Sequence, residues 1–110
     1  MEQMLSKAKE LGWNIALEDA TIYELRKTSP KGLDFRFLVD SEGHANGFVE
    51  NLHASHSNFD PLEELPYWLE EVHSSESNHL WTREELIEEL ETHHDDIWEL
   101  FNALLLELTT

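Results

Sequence analysis

Apolar positions at the start of the chain keep helical spacing. Met4, Leu5, Ala8 and Leu11 share one face, which predicts a short helix over 2–11 with Gly12 as its C-terminal cap. The period then falls to two. Trp13, Ile15 and Leu17 alternate with polar or small residues, Glu18-Asp19-Ala20 makes a turn, and Thr21 to Lys27 forms a second strand with Tyr23 and Leu25 inward. Ser29-Pro30-Lys31-Gly32 is a turn signal, with Pro30 pre-setting φ at the first corner. Leu33, Phe35, Phe37 and Val39, set against Asp34, Arg36, Leu38 and Asp40, give the clearest strand in the chain. Together these segments predict an antiparallel meander with one apolar face, and that face requires a cover.

After residue 41 the spacing becomes helical again. Ala45, Phe48, Val49 and Leu52 follow i, i+3, i+4, i+7 and predict a helix over 43–55 despite Gly43 and Gly47; a fourth strand at 47–53 is the alternative. Asp60-Pro61-Leu62-Glu63 is a helix start, with an acidic cap, proline at the first position and glutamate three residues after the cap. Leu62, Leu65, Leu69 and Val72 form its predicted buried stripe, with Trp68 beside them, and Pro66 predicts a kink or a detached first turn. Residues 74–80 read as a polar loop. Thr82-Arg83-Glu84-Glu85 is a capping box opening the longest helix, over about 82–107, with Ile87, Leu90, His94, Ile97, Trp98, Phe101, Leu105 and Leu108 as its apolar seam. The expected fold is α+β: a single domain over 1–110, with a small three-stranded antiparallel meander covered by three to four helices and a long C-terminal helix.

Charge changes the picture more than overall composition does. The 110 residues hold 24 Asp+Glu against 7 Lys+Arg, a formal net charge of -17. Residues 1–40 carry six bases and seven acids, whereas residues 41–110 carry 17 acids and Arg83 alone. A face that had only to stay soluble could mix both signs, and like charges at i,i+4 cost a few tenths of a kcal/mol each. Direct binding to nucleic acid or to an anionic membrane is disfavoured by long-range repulsion. No apolar run approaches the ~18 residues of a membrane span, and MEQMLSKAKELGW lacks the basic and apolar stretches of a secretory signal. With no cysteine there is no disulfide framework, zinc knuckle or thiol nucleophile, and the cytoplasm is the expected compartment.

Candidate chemistry is sparse. There is no G-x-S-x-G elbow and no glycine-rich phosphate loop, and with 24 acids a catalytic-looking carboxylate pair arises by chance, so no catalytic residue is assigned and a non-enzymatic role is expected. Glu70-x-x-His73 and Glu91-x-x-His94 each place a carboxylate and an imidazole one helical turn apart, and His53 and His56 form another i,i+3 pair. A di-iron bundle needs four long helices, which a chain spending its first 40 residues largely on a sheet does not have. His94 falls on the apolar seam and His73 at a helix end, where an imidazolium suits the dipole. No metal or cofactor is therefore expected, and a His/Glu metal protein is the least favoured class.

The acidic surface is the remaining handle. Glu84, Glu88, Glu91, Asp95 and Glu99 recur at steps of four, three, four and four residues, so at ~1.5 Å per residue they lie about 4.5–6 Å apart along the helix, comparable with successive phosphates on a nucleic-acid strand. Glu63, Glu64, Glu70, Glu71 and Glu76 supply a second row. Such rows fit the groove of a basic DNA-binding protein, giving a nucleic-acid mimic whose binding falls steeply with salt. The plainer alternative is the solvated face of an amphipathic helix. In that case binding uses an apolar or aromatic surface, with Trp81 the best exposed anchor among Trp68, Trp81, Trp98 and Tyr67. Self-repulsion opposes dimers through the acidic face and leaves apolar-face association open.

Ser29-Pro30-Lys31-Gly32-Leu33-Asp34-Phe35 and Asn58-Phe59-Asp60-Pro61 resemble the S-P-x-G-x-D-F and F-D-P segments of small acidic proteins from conjugative elements and prophages of gut bacteria. The likeness spans roughly residues 13–75 and rests on turn and cap chemistry, with Pro66 a departure. That group brings no assigned activity and hence no site residues. The resemblance implies a mobile-element setting, in which an antirestriction or anti-defence DNA mimic would be at home.

Overall fold

A computed structural model describes residues 1–74 and 80–109. Helix α1 (Glu2–Glu10) ends where its sequence stops favouring helix. Gly12 takes φ +92°, its N–H donates to the Lys9 carbonyl and the Trp13 N–H donates to the Ala8 carbonyl at 3.0 Å, which together make a Schellman cap. That cap turns the chain into β1 (Asn14–Asp19) and drops Trp13 into the core, 2% exposed. β2 (Ile22–Thr28) and β3 (Asp34–Asp40) complete an antiparallel sheet of order β1-β2-β3. The β2–β3 ladder runs in unbroken register from Thr28↔Asp34 to Ile22↔Asp40. The β1–β2 ladder is irregular between Leu17 and Asp19, and Leu17, expected inward, is 58% exposed at this bulge.

The helix expected over 43–55 forms, and the alternative strand at 47–53 does not: α2 spans Ala45–Asn58, with Gly43 and His44 in the turn that precedes it. The entry is tight. Glu42 and Gly43 have φ +55° and +85°, the His44 Nδ1 accepts the Gly47 N–H at 2.9 Å, and a Cβ on Gly47 would press into the Ser41 carbonyl oxygen. Only glycine fits there, so this glycine in a helix is a packing requirement. α3 (Pro61–Ser74) starts on Asp60, whose Oδ1 accepts the Leu62 N–H at 3.0 Å. It is assigned as one unbroken helix, so Pro66 does not detach its first turn. Pro66 and Leu62, whose carbonyl loses its helical donor, are both exposed, leaving water to take the vacated acceptor. Leu62, expected in the buried stripe, is 64% exposed, whereas Leu65 is buried. The expected loop lies largely at residues 75–79, outside the described residues.

α4 (Arg83–Thr109) is 27 residues long, about 40 Å, and sets the 44 Å long dimension of the molecule. Its capping box forms reciprocally: Glu85 N–H donates to Thr82 Oγ1 at 3.1 Å and Thr82 N–H to Glu85 Oε1 at 3.2 Å. Along it lie two apolar clusters. One joins the sheet, α1 and α2 to Ile97, Leu100 and Leu104; the other joins Leu33, Phe35 and Leu65 to Leu86 and Leu90. The buried stripe is therefore Leu86, Glu89, Leu90, His93, Ile97, Leu100 and Leu104, which keeps Leu90 and Ile97 of the expected seam but passes by His94, Trp98 and Leu105. Trp98 is 44% exposed and Leu105 is also exposed. α4 is apolar over more than one stripe, so docking against α1, α2 and α3 chooses which stripe is buried.

Candidate functional site

On α4, the expected carboxylate row sits diametrically across from the buried stripe. At ~100° per residue, Glu84, Glu88, Glu91, Asp95 and Glu99 cluster about 180° from the mean direction of Leu86, Leu90, Ile97 and Leu104. All five are exposed. Residues 84 to 99 span about 22 Å of helix axis. On α3, Glu63, Glu70 and Glu71 are exposed and Glu64 is half-buried; Glu76 lies outside the described residues.

Among the described residues, four of the chain's seven Lys and Arg side chains are committed to ion pairs elsewhere. Arg26 pairs with Asp34 and Glu24 across the outer face of the sheet, and Lys7 with Glu10. Lys27 lies 3.5 Å from Asp96 and 5.5 Å from the Trp13 ring centroid. Lys31, at the β2–β3 turn, is held by α4: its Nζ is 3.0 Å from Glu85 Oε2 and its N–H donates to Glu89 Oε1 at 2.9 Å. The hydrogen bond to Glu85 holds the Lys31 pKa above its ordinary value. Glu85 and Glu89 thus clamp a turn, whereas among the described residues none of the five row carboxylates has an ion pair. Among the described residues the row is thus an anionic stripe with no direct ion pair, Glu88 contributing only to the field that raises the Lys31 pKa.

Imidazoles gather on α2 and α4. His56 and His94 stack with centroids 4.0 Å apart, and His53 leans on Phe101 at 4.9 Å. Burial first, then His94 and His53, pushes the His56 pKa down. His73 is exposed in the last turn of α3. Among the described residues no group of three His, Asp or Glu side chains is placed to hold a metal ion, and neither Glu-x-x-His pair is joined by further ligands. One imidazole that the sequence pattern does not single out is His93, buried and stacked on Phe35 with centroids 4.2 Å apart and the rings 10° from parallel. Burial pushes its pKa down to about 4, with Lys27 and His94 adding to the effect. Its position on the α4 stripe becomes legible only once the stripe's phase is known.

His93 forms part of the floor of a cleft of about 760 Å³ between the β3 side of the sheet and α3. The α3 wall presents Glu64, Tyr67, Trp68, Glu71 and Val72, which recur at i, i+3, i+4, i+7, i+8. Trp68, expected in the core, is half-buried here with its ring 4.7 Å from Phe35. Trp81, expected as an exposed anchor, is half-buried, packed on the second apolar cluster and bordering the same cleft. No local sequence pattern marks the cleft, because its walls are far apart in the chain.

No known protein family, curated protein or solved structure matches this chain.

Proposed function

We propose that this is a non-enzymatic acidic interaction protein that binds a basic protein partner through the α4 carboxylate row, competing with nucleic acid for the partner's basic groove. The observation carrying this is the exposed row Glu84, Glu88, Glu91, Asp95 and Glu99, which makes no direct ion pair among the described residues although the same helix uses Glu85 and Glu89 in specific contacts. Glu63, Glu64, Glu70 and Glu71 on α3 would extend the acidic surface, although Glu64 and Glu71 line the cleft beside β3. Replacing phosphates releases the partner's counter-anions, so affinity falls steeply with salt. The mobile-element resemblance favours a cytoplasmic anti-defence setting, with a basic DNA-binding host protein as target.

The test is a pull-down at low and high salt, wild type beside the triple variant Glu88→Lys, Glu91→Lys, Asp95→Lys, followed by elution with duplex DNA. A basic partner that duplex DNA displaces, and that the folded triple variant fails to capture, supports mimicry. A partner retained by that variant or at high salt overturns it. Trp81 bordering a cleft supports the second reading, a partner held on an aromatic surface with the acids serving solubility; that binding resists salt and fails in Trp81→Ala.

A further inference from the structure

We infer that the free edge of β3 is a docking site for an extended basic segment of a partner protein, which adds to the sheet as a fourth strand inside the cleft facing α3. The hydrogen-bond parity of β3 carries this. Ser29 N–H donates to the Leu33 carbonyl at 2.7 Å and Ser41 N–H to the Thr21 carbonyl at 2.8 Å, so both pairs continue the β2–β3 register. Odd-numbered residues of β3 therefore exchange ladder bonds with β2, and even-numbered ones direct N–H and C=O away from it. An independent contact agrees: the Asp40 carbonyl accepts Asn51 Nδ2 at 2.7 Å from α2, so that end of the edge is already covered. Asp34 and Arg36 have no such cover among the described residues.

That uncovered stretch borders the cleft. All five residues from Leu33 to Phe37 line it, although their side chains alternate between the two faces of the sheet. Only the edge of a strand presents both sets to one space. The other edge of the sheet, β1, is irregular at its bulge, whereas β3 stays regular throughout its pairing with β2. An incoming strand would exchange up to about four backbone bonds with Asp34 and Arg36, each residue offering one donor and one acceptor. Its alternate side chains would meet Phe37, Tyr67 and Trp68, all at least partly exposed.

Charge selects the occupant. The lining sets Asp34, Glu64 and Glu71 against Lys31 and Arg36, with the acids of the α3 wall facing the incoming strand, and the chain carries -17 overall, so a second copy of this chain is repelled and a segment rich in Lys or Arg is attracted. The segment is thus extended and basic, with apolar or aromatic side chains at alternate positions. It shares with the α4 proposal the basic character of the partner and the α3 acids Glu64 and Glu71, but not the α4 row itself.

The probe is a synthetic peptide alternating Lys with Val or Phe, about seven residues long to span the edge at ~3.3 Å per residue, with its Glu counterpart as control. Binding is measured for peptides N-methylated at odd or at even amides. Methylation of one parity is expected to weaken binding about tenfold or more while the other parity leaves it nearly unchanged, because only one set of amides faces β3. Amide exchange at Asp34 and Arg36 should slow in the complex. Arg36→Pro, which removes an outward N–H the ladder does not use, should weaken binding similarly. The idea is overturned by equal effects of both parities, by equal binding of the Glu peptide, by protection mapping to α4 instead, or by sedimentation showing the edge filled by a second copy. The parity contrast should persist in the Glu88/Glu91/Asp95→Lys variant, so failure here and failure of the α4 proposal are separable.

Discussion

His93 makes the stability of this protein depend on pH in a way that can be isolated. Its ring is stacked on Phe35, has the edge of Phe59 at 5.1 Å and lies 5.9 Å from Trp13, an environment that solvates an imidazolium poorly. The folded chain holds its pKa at about 4 against 6.5 for an unperturbed histidine. Above pH 6.5 the ring is neutral in both states and contributes its full stability. Below it the unfolded chain takes up a proton that the folded chain refuses, so stability is lost as pH falls from about 6.5 to about 4. At ~1.4 kcal/mol per pH unit the loss is about 3 kcal/mol. Other groups act in the same window: His56 adds to the loss, while Asp96, whose pKa burial raises against the pull of Lys27, opposes it, as does the fading repulsion among the 24 acids. His93→Gln removes one titration and leaves the rest in place. Urea unfolding followed by tryptophan fluorescence, wild type beside His93→Gln, should show the variant gaining about 3 kcal/mol relative to wild type between about pH 7 and about pH 4. Parallel pH profiles, or a His93 imidazole titrating near its ordinary value by NMR, would refute the reasoning.

Three further outcomes follow from other contacts. Gly47→Ala forces a Cβ into the Ser41 carbonyl oxygen at the entry of α2, and thermal unfolding should report a loss of about 1–3 kcal/mol, where an exposed helical Gly→Ala would stabilise. Glu89→Ala strips the Lys31 N–H of its acceptor and should cost about 1.5–3 kcal/mol, with faster exchange of the Lys31 amide; Glu89→Gln keeps that acceptor and should cost less, because the second carboxylate oxygen is buried without a partner. Reversing Glu88, Glu91 and Asp95 to Lys should leave the unfolding midpoint unchanged or higher, since it replaces like-charge i,i+4 neighbours such as Glu84–Glu88 and Asp95–Glu99 with opposite charges; a folded but unstable variant would mean the row has a structural role.

Local chemistry, set by neighbours in the chain, was legible without coordinates. The Gly12 cap, the Ser29–Gly32 turn, the Asp60-Pro61 start and the Thr82–Glu85 box each involve groups within a few residues of one another, so short-range sterics and hydrogen bonding decide them. The three alternating strands and their meander order follow for the same reason. The acidic row was legible too, because a repeat of four, three and four residues places side chains on one face of any α-helix.

The tertiary structure decided what depends on docking. Between Leu86 and Leu108, α4 offers apolar residues over a wide arc, so the choice of Leu86, Leu90, His93, Ile97, Leu100 and Leu104 over a seam through His94 and Trp98 is made by α1, α2 and α3 packing against it. That rotation exposes Trp98, buries His93 and turns Glu89 from a surface acid into an anchor for the Lys31 turn, 58 residues away in sequence. The cleft has the same origin. Its strand wall and its helix wall are separated by α2, and the parity that frees Asp34 and Arg36 is fixed by pairing with β2. Periodicity specifies which residues share a face; only packing determines which face meets solvent, and hence which groups remain available to bind.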